Sequence, residues 1–347
     1  MNPEILKIDD NHPTLIIAEL SANHAHDKNV ALDTVRAAKD VGADGIKLQT
    51  YTPDTLTIDC NNEYFKINNG TLWDGRNLYD LYKEAYTPWE WHEEIFELAH
   101  DLGLYCFSTP FDISAVDFLE QLHVPAYKIA SFEIRDIPLI RYAASKKKMM
   151  IISTGIATFE DIQLAVDTCL AEGNSDIVLL KCTSSYPAPI ELANISTMSD
   201  MKSKFACRVG LSDHTVTNDV PIVAVSNGAC LIEKHFILNK KLGGPDASFS
   251  LDPNAFELLV QSVRQTEKIL GKVDYTIPSS VKQNVKFARS LFIVQDVNQG
   301  DLITAQNVRS IRPGYGLHPK YLEEIMGRKF TKKLERGTPL ELNHFME

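Results

Sequence analysis

Eight times in its first three quarters, the chain sets a short apolar run rich in β-branched residues ahead of a stretch with helical apolar spacing. The runs fall at 15–20, 45–51, 105–111, 126–131, 149–155, 177–183, 208–214 and 230–236. Strands covered on both faces read as near-continuous apolar segments. Eight of them alternating with helices predict an α/β fold, a (β/α)8 TIM barrel. The rival is a doubly wound open sheet. No G-x-G-x-x-G follows the first run and no G-x-x-x-x-G-K-[ST] occurs, so both common nucleotide-binding signatures are missing.

Helix boundaries can be read between the runs. Thr87 with Pro88 predicts an N-cap and first helical residue, with Gly103 as the stop. Thr158 and Asp161 have capping-box spacing, and Asp252-Pro253 opens a helix that Gly271 ends. Residues 52–86 are too long for a simple βα connection; they are polar, with interspersed aromatics, and read as an insertion at the barrel mouth, a lid or a subunit contact. The pattern lapses at 272–285, read as a linker, which gives a barrel over 1–271 and a separate small unit over 286–347. In that unit Asp296-Val-Asn-Gln-Gly-Asp-Leu-Ile returns loosely as Lys333-Leu-Glu-Arg-Gly-Thr-Pro-Leu. Some sixty residues is near the lower limit for an independent core, so this unit is expected to lean on another surface.

Composition narrows the function classes. Of 347 residues, 44% are hydrophobic and 23% charged, which excludes disordered and fibrous classes. A net charge of −11 argues against a nucleic-acid or anionic-membrane partner. The start carries Glu4, Asp9 and Asp10 and no apolar stretch of signal-peptide type, and the longest apolar runs are strand-sized. Six cysteines without a C-x-x-C pair fit a reduced, cytoplasmic setting, where the sequons at Asn69 and Asn194 are chance matches.

Barrel enzymes hold their chemistry at the C-terminal ends of the strands. Here those ends carry Glu19; Lys47 and Gln49; Ser108 and Thr109; Lys128 and Ser131; Ser153 and Thr154; Thr183 and Ser184; Ser212 and His214; Glu233 and His235. Residues two apart share a strand face, so Lys47 with Gln49, Ser212 with His214, and Glu233 with His235 converge. His214 and His235 end neighbouring strands of a closed barrel and suit one divalent ion, whether Mn, Co, Zn or Fe; two core histidines bonded to backbone are the plainer alternative. Lys47 and Lys128 among hydroxyls form an anion pocket for phosphate or carboxylate, and either lysine is alternatively a Schiff-base nucleophile. Glu19 and Glu133 are acid/base candidates or counter-ions to a lysine.

The motifs Ile17-Ala-Glu-Leu-Ser-Ala-Asn-His24, Ile46-Lys-Leu-Gln-Thr50, Ser108-Thr-Pro-Phe111, Tyr127-Lys-Ile-Ala-Ser131, Ile152-Ser-Thr-Gly155, Gly210-Leu-Ser-Asp-His214 and Glu233-Lys-His235 occur in order. Together they resemble the sialic acid synthase family, and the C-terminal unit resembles its antifreeze-like (SAF) domain. The resemblance implies a transferase that condenses phosphoenolpyruvate with an open-chain 2-acetamido sugar and releases phosphate. Lys181-Cys-Thr-Ser-Ser-Tyr-Pro187 and Arg312-Pro-Gly-Tyr-Gly-Leu-His-Pro319 follow the wording of the branch acting on 2,4-diacetamido-2,4,6-trideoxy-altrose. ManNAc or the legionaminic precursor are the alternative sugars, and Ser184 stands where the sialic acid branch has Asn. The resemblance further implies that His214 and His235 hold the metal, usually Mn2+, with Co2+ or Mg2+ as substitutes. It implies that Lys47, Thr109, Lys128, Ser131, Ser153, Tyr186 and Ser212 hold phosphoenolpyruvate. Gln49, Glu133 and Asp246 then lie near the sugar, and Glu19 is an acid/base group. Arg312 would reach into the barrel of a partner subunit, which implies a domain-swapped homodimer. A non-catalytic sugar- or ice-binding protein is the remaining alternative.

Overall fold

The computed structural model describes residues 6, 8, 12–68 and 70–346. Glu4, Asp9, Asp10 and the Asn69 sequon lie outside the described residues. The chain forms two compact units that divide between Gly271 and Lys272.

In the first unit, eight parallel strands close into a barrel in sequence order. They are β1 (Leu15–Glu19), β2 (Gly45–Thr50), β3 (Tyr105–Pro110), β4 (Ala126–Ile129), β5 (Met149–Ser153), β6 (Ile177–Cys182), β7 (Arg208–Asp213) and β8 (Leu231–His235). The ring closes with Leu15 opposite Leu231 and Glu19 opposite His235. Alternation along each strand sorts its side chains into two layers. Ile16, Ala18, Ile46, Leu48, Ile152 and Ile232 join the core between strands and helices. Leu15, Ile17, Phe107, Ile151, Leu180 and Leu231 fill the lower barrel interior, with Leu6 and Ile8 packed against them. Above that apolar plug the same inward positions turn polar, which is where the candidate residues stand.

Local signals account for most of the frame. Thr158 and Asp161 form a reciprocal capping box at helix Phe159–Ala171. Asp252 accepts from the Ala255 N–H, and helix Pro253–Leu270 ends at Gly271. Thr87 does not cap its helix. Its hydroxyl pairs instead with His24 Nε2 at 3.2 Å, while a 3-10 turn (Trp89–Trp91) leads into helix His92–Asp101. Segments 52–68 and 70–86 carry helices Pro53–Leu56 and Leu78–Ala85, and their Ile67 and Leu81 are buried. That stretch is therefore less uniformly polar in effect than its composition implies.

The second unit holds a two-stranded antiparallel sheet, β9 (Ser290–Ile293) and β10 (Val308–Ile311). Leu291, Ile293, Ile303, Phe330 and Leu340 form its core. The two copies of the weak repeat pair with each other. Val297 and Leu334 exchange backbone hydrogen bonds of 2.9 and 3.0 Å, and the turn glycines Gly300 and Gly337 share φ +91. Both positions demand the left-handed conformation that glycine adopts without strain.

Candidate active site

Two lysines and two glutamates meet inside the upper barrel. Lys47 Nζ lies 2.9 Å from Glu19 Oε2 and 3.7 Å from Glu233 Oε2. Lys128 Nζ lies 3.6 Å from Glu233 Oε1. All four side chains are buried. Charges removed from water in this way are tolerated only when paired and hydrogen-bonded, and hydroxyls complete the set. Lys47 donates to Thr109 Oγ1 at 3.0 Å, Lys128 to Ser153 Oγ at 2.7 Å, and Ser212 to Glu233 Oε1 at 3.1 Å.

The network runs on towards the sugar-side candidates. Gln49 Nε2 donates to Glu19 Oε1 and to Ser21 Oγ, each at 2.9 Å, and Ser21 donates to Asp246. Burial, reinforced by Glu233 and opposed by Lys47, pushes Glu19 up to about 7. For Lys47, burial is outweighed by Glu19 and Glu233, and its ammonium form is favoured beyond the ordinary lysine range. Lys128 shifts the other way, lowered by burial and by the charge on Lys47 against the pull of Glu233. Glu233 is lowered because Lys128 and Lys47 outweigh its burial. Glu133, on the 3-10 turn after β4, is pushed up to about 7 by burial, and its Oε2 has no hydrogen-bond partner.

Beside Lys128 the chain approaches itself closely. The Gly155 N–H donates to Ser131 Oγ at 3.1 Å. A Cβ at Gly155 would stand 2.1 Å from Ser184 Oγ and 2.7 Å from Ser131 Oγ, so only glycine leaves those hydroxyls in position. A backbone N–H, two hydroxyls and an ammonium group in one place suit a tetrahedral oxyanion or a carboxylate.

His214 and His235 cap β7 and β8 with ring centroids 5.3 Å apart. His214 Nδ1 pairs with the Thr183 carbonyl at 3.0 Å, leaving Nε2 for another partner. His235 Nδ1 is buried without a hydrogen bond, 3.8 Å from Asp246 Oδ2. Burial lowers His235 well below the usual imidazole range, so it is neutral at pH 7. A ring nitrogen fixed on a carbonyl is the support that metal-ligating histidines usually have. The donor set therefore fits a divalent cation whose other positions go to water or substrate. Among the described residues, no group of three or more His, Cys, Asp or Glu side chains makes a complete cage. Tyr186 packs on His214 with centroids 4.4 Å apart, and Phe249 on His235 at 4.9 Å.

The structure thus gathers Glu19, Lys47, Gln49, Thr109, Lys128, Ser131, Ser153, Ser184, Ser212, His214, His235 and Asp246 at one end of the barrel, with Glu133 and Tyr186 on the wall of the cavity above. Arg312 lies apart in the second unit, exposed. Glu233 had been assigned no role in the sequence, yet it bridges both lysines. Its only signal was the two-residue spacing to His235.

Comparison with known proteins follows this geometry. The NeuB family model matches residues 34–275, and the SAF domain model matches 288–346. The pseudaminic acid synthase of Helicobacter pylori is 48% identical over 94% of this chain and 96% of its own length. The N,N'-diacetyllegionaminic acid synthase of Legionella pneumophila is 39% identical over 95% and 94%. The crystal structure of the N-acetylneuraminic acid synthetase of Leptospira borgpetersenii superposes with TM-score 0.71 at 32% identity, covering 81% of this chain and 93% of that one.

Proposed function

The chain belongs to the NeuB family, and from that premise we propose that it condenses phosphoenolpyruvate with open-chain 2,4-diacetamido-2,4,6-trideoxy-altrose to give pseudaminic acid and phosphate. The observation that carries this reading is the buried Glu19–Lys47–Glu233–Lys128 cluster directly below two imidazoles and a cavity. The higher identity to the H. pylori pseudaminic acid synthase (48%) than to the L. pneumophila N,N'-diacetyllegionaminic acid synthase (39%) supports this sugar over the legionaminic precursor.

The reaction sets the tasks. C3 of phosphoenolpyruvate bonds to the aldehyde carbon, whose oxygen takes a proton. Water adds at C2 and loses one proton, the C2–O bond to phosphate breaks, and C2 becomes a ketone as its hydroxyl gives the second proton to the departing phosphate. Lys47 and Lys128 hold the carboxylate and phosphate, with Thr109, Ser131, Ser153 and Ser212 supplying fixed dipoles that need no rearrangement as charge develops. Glu19, pushed up to about 7, exchanges a proton near neutral pH and serves the addition or collapse at C2. Gln49, Glu133 and Asp246 orient the sugar, Tyr186 joins the residues that hold phosphoenolpyruvate, and Ser184 stands at the phosphate end. A divalent cation held by His214 and His235, Mn2+ in first place with Co2+ or Mg2+ as substitutes, would supply Lewis-acid polarisation of the aldehyde. The reading includes a domain-swapped homodimer in which Arg312 reaches the barrel of a second copy, and a cytoplasmic setting, which six cysteines without a C-x-x-C pair support. No helix among the described residues is long and apolar enough to cross a membrane.

Phosphate release from phosphoenolpyruvate with Mn2+ tests the reading, comparing the diacetamido-altrose sugar with ManNAc and the legionaminic precursor. EDTA-sensitive release with the first sugar alone is expected. Release with another sugar alone keeps the chemistry and overturns the substrate. The lowered Lys128 favours one rival, a Schiff-base aldolase; covalent trapping of Lys128 by borohydride with a carbonyl substrate, and no phosphate release, would establish that instead.

A further inference from the structure

The cavity above the cluster, about 360 Å3, has two chemically distinct ends. Its floor presents Ser21, Gln49, His235 and Asp246, with Glu133 on the wall beside them. The opposite wall comes from segments 52–68 and 70–86, which contribute Leu56, Ile67, Trp73, Leu78, Leu81 and Ala85 and no charged side chain. Of their two hydroxyls, Thr71 donates to Asp74 at 3.1 Å, and Tyr82 stands on the helix that carries Leu78 and Leu81. The wall is anchored rather than loose. Trp73 Nε1 donates to the Pro245 carbonyl at 3.2 Å, and its ring packs on Tyr186 with centroids 5.5 Å apart. Leu81 and Ile67 are buried, so this apolar face is part of the fold.

A sugar spanning such a cavity must put its carbonyl and hydroxyls at the floor and its least polar substituents at the wall. A hydroxyl pressed against leucine and isoleucine loses its water without gaining a partner, whereas a methyl group gains contact. We propose that the wall formed by Leu56, Ile67 and Leu78 is the specificity element of this site, selecting acceptors whose far end carries methyl groups, a 6-deoxy carbon and an N-acetyl methyl, over those with hydroxyls there. This rests on the condensation reading above and adds to it the residues that discriminate. Pockets of this kind distinguish a methyl from a hydroxylated counterpart by about 10- to 100-fold.

The test is steady-state kinetics of phosphate release with the 6-deoxy diacetamido sugar and its 6-hydroxy counterpart, for wild type, Leu78→Asn and Ile67→Thr. Leu78 is only half-buried and Ile67→Thr keeps the β-branched shape, so at least one variant is expected to fold, which circular dichroism checks. Wild type should favour the deoxy sugar by about 10-fold or more in kcat/KM. Both variants should bring that ratio towards one, mainly through KM for the sugar, with KM for phosphoenolpyruvate unchanged. A wild type without preference, or variants that slow both sugars equally, overturns the inference and leaves the condensation intact. No phosphate release with any sugar overturns the functional reading and the inference together.

Discussion

β8 places two ionised side chains back to back. Glu233 faces the barrel interior, where it shares Lys47 with Glu19 and pairs with Lys128 as well. Lys234, the next residue, faces the helices, fully buried, and is bound to Asp213 Oδ2 at 2.5 Å, to the Thr215 carbonyl and to Thr215 Oγ1 at 3.5 Å. Asp213 in turn accepts from the Thr215 N–H and hydroxyl, each at 3.0 Å. The outward pair is closed: it ties β7 to β8 and its ammonium group is fully buried among its partners. The inward cluster is incomplete, since Glu233 Oε2 and His235 Nδ1 are buried without hydrogen bonds. Two buried charges of opposite sign, one residue apart, thus serve folding on one face and stand ready for a ligand on the other.

If that contrast holds, Lys234→Met should be the most destabilising change, because it strands Asp213 in a dry layer; the expected loss is about 3–5 kcal/mol. Urea unfolding measures it, and Lys234→Met with Asp213→Leu should recover most of the loss, since replacing both partners removes the unpaired charge. A single variant as stable as wild type would erase the distinction. Gly155→Ala comes next. Its methyl would collide with Ser184 and Ser131, which should cost about 1–3 kcal/mol and raise KM for phosphoenolpyruvate through displaced hydroxyls.

The contrast also explains what was legible in the sequence. Apolar, β-branched runs marked all eight strands, because a strand covered on both faces leaves little room for other residues. Each run ends one or two residues beyond the observed strand, as at 126–131 against Ala126–Ile129, because apolar residues such as Leu20 and Phe236 stay in the core after the ladder has ended. Strand-end positions brought together Glu19, Lys47, Lys128, His214 and His235. Glu233 stands among the polar strand ends beside His235 but without a role, because period two says which face it takes, not which side chains arrive from β2 and β4. Thr87 was misread as a cap because its partner, His24, is distant in sequence and close only once the barrel has closed. Local rules hold where local partners win.

Lys47→Met sharpens the contrast from the inward side. It leaves Glu19 without its closest cation, but Glu19 is already pushed up to about 7 and can take a proton instead. The stability loss should therefore stay near 1 kcal/mol, below that of Lys234→Met, while phosphate release falls about 100-fold or more. Equal losses of stability in the two lysine variants would mean that the inward cluster is structural as well.

The smallest effect is expected at His92, which belongs to the outward layer like Lys234 but is buried neutral. Its Nε2 pairs with Thr50 Oγ1 at 2.9 Å, and its Nδ1 lies 3.2 Å from the Pro88 carbonyl. Burial lowers it to about 4, against 6.5 for an ordinary histidine. Between those values the unfolded chain binds a proton that the folded chain refuses, so the contribution of His92 is fully present above pH 6.5 and is lost as pH falls towards 4. One proton corresponds to a slope of about 1.4 kcal/mol per pH unit. His92→Gln, which cannot titrate, should be less stable than wild type at pH 7 by about 1 kcal/mol for its poorer hydrogen bonds. Its stability should fall less steeply on acidification, so that the two proteins converge between pH 6 and 5. All other titrating groups are common to both proteins and cancel in the difference. Parallel stability curves would show that His92 takes up its proton as readily in the folded chain as in the unfolded one, and on acidification the outward layer would then hold a second buried cation.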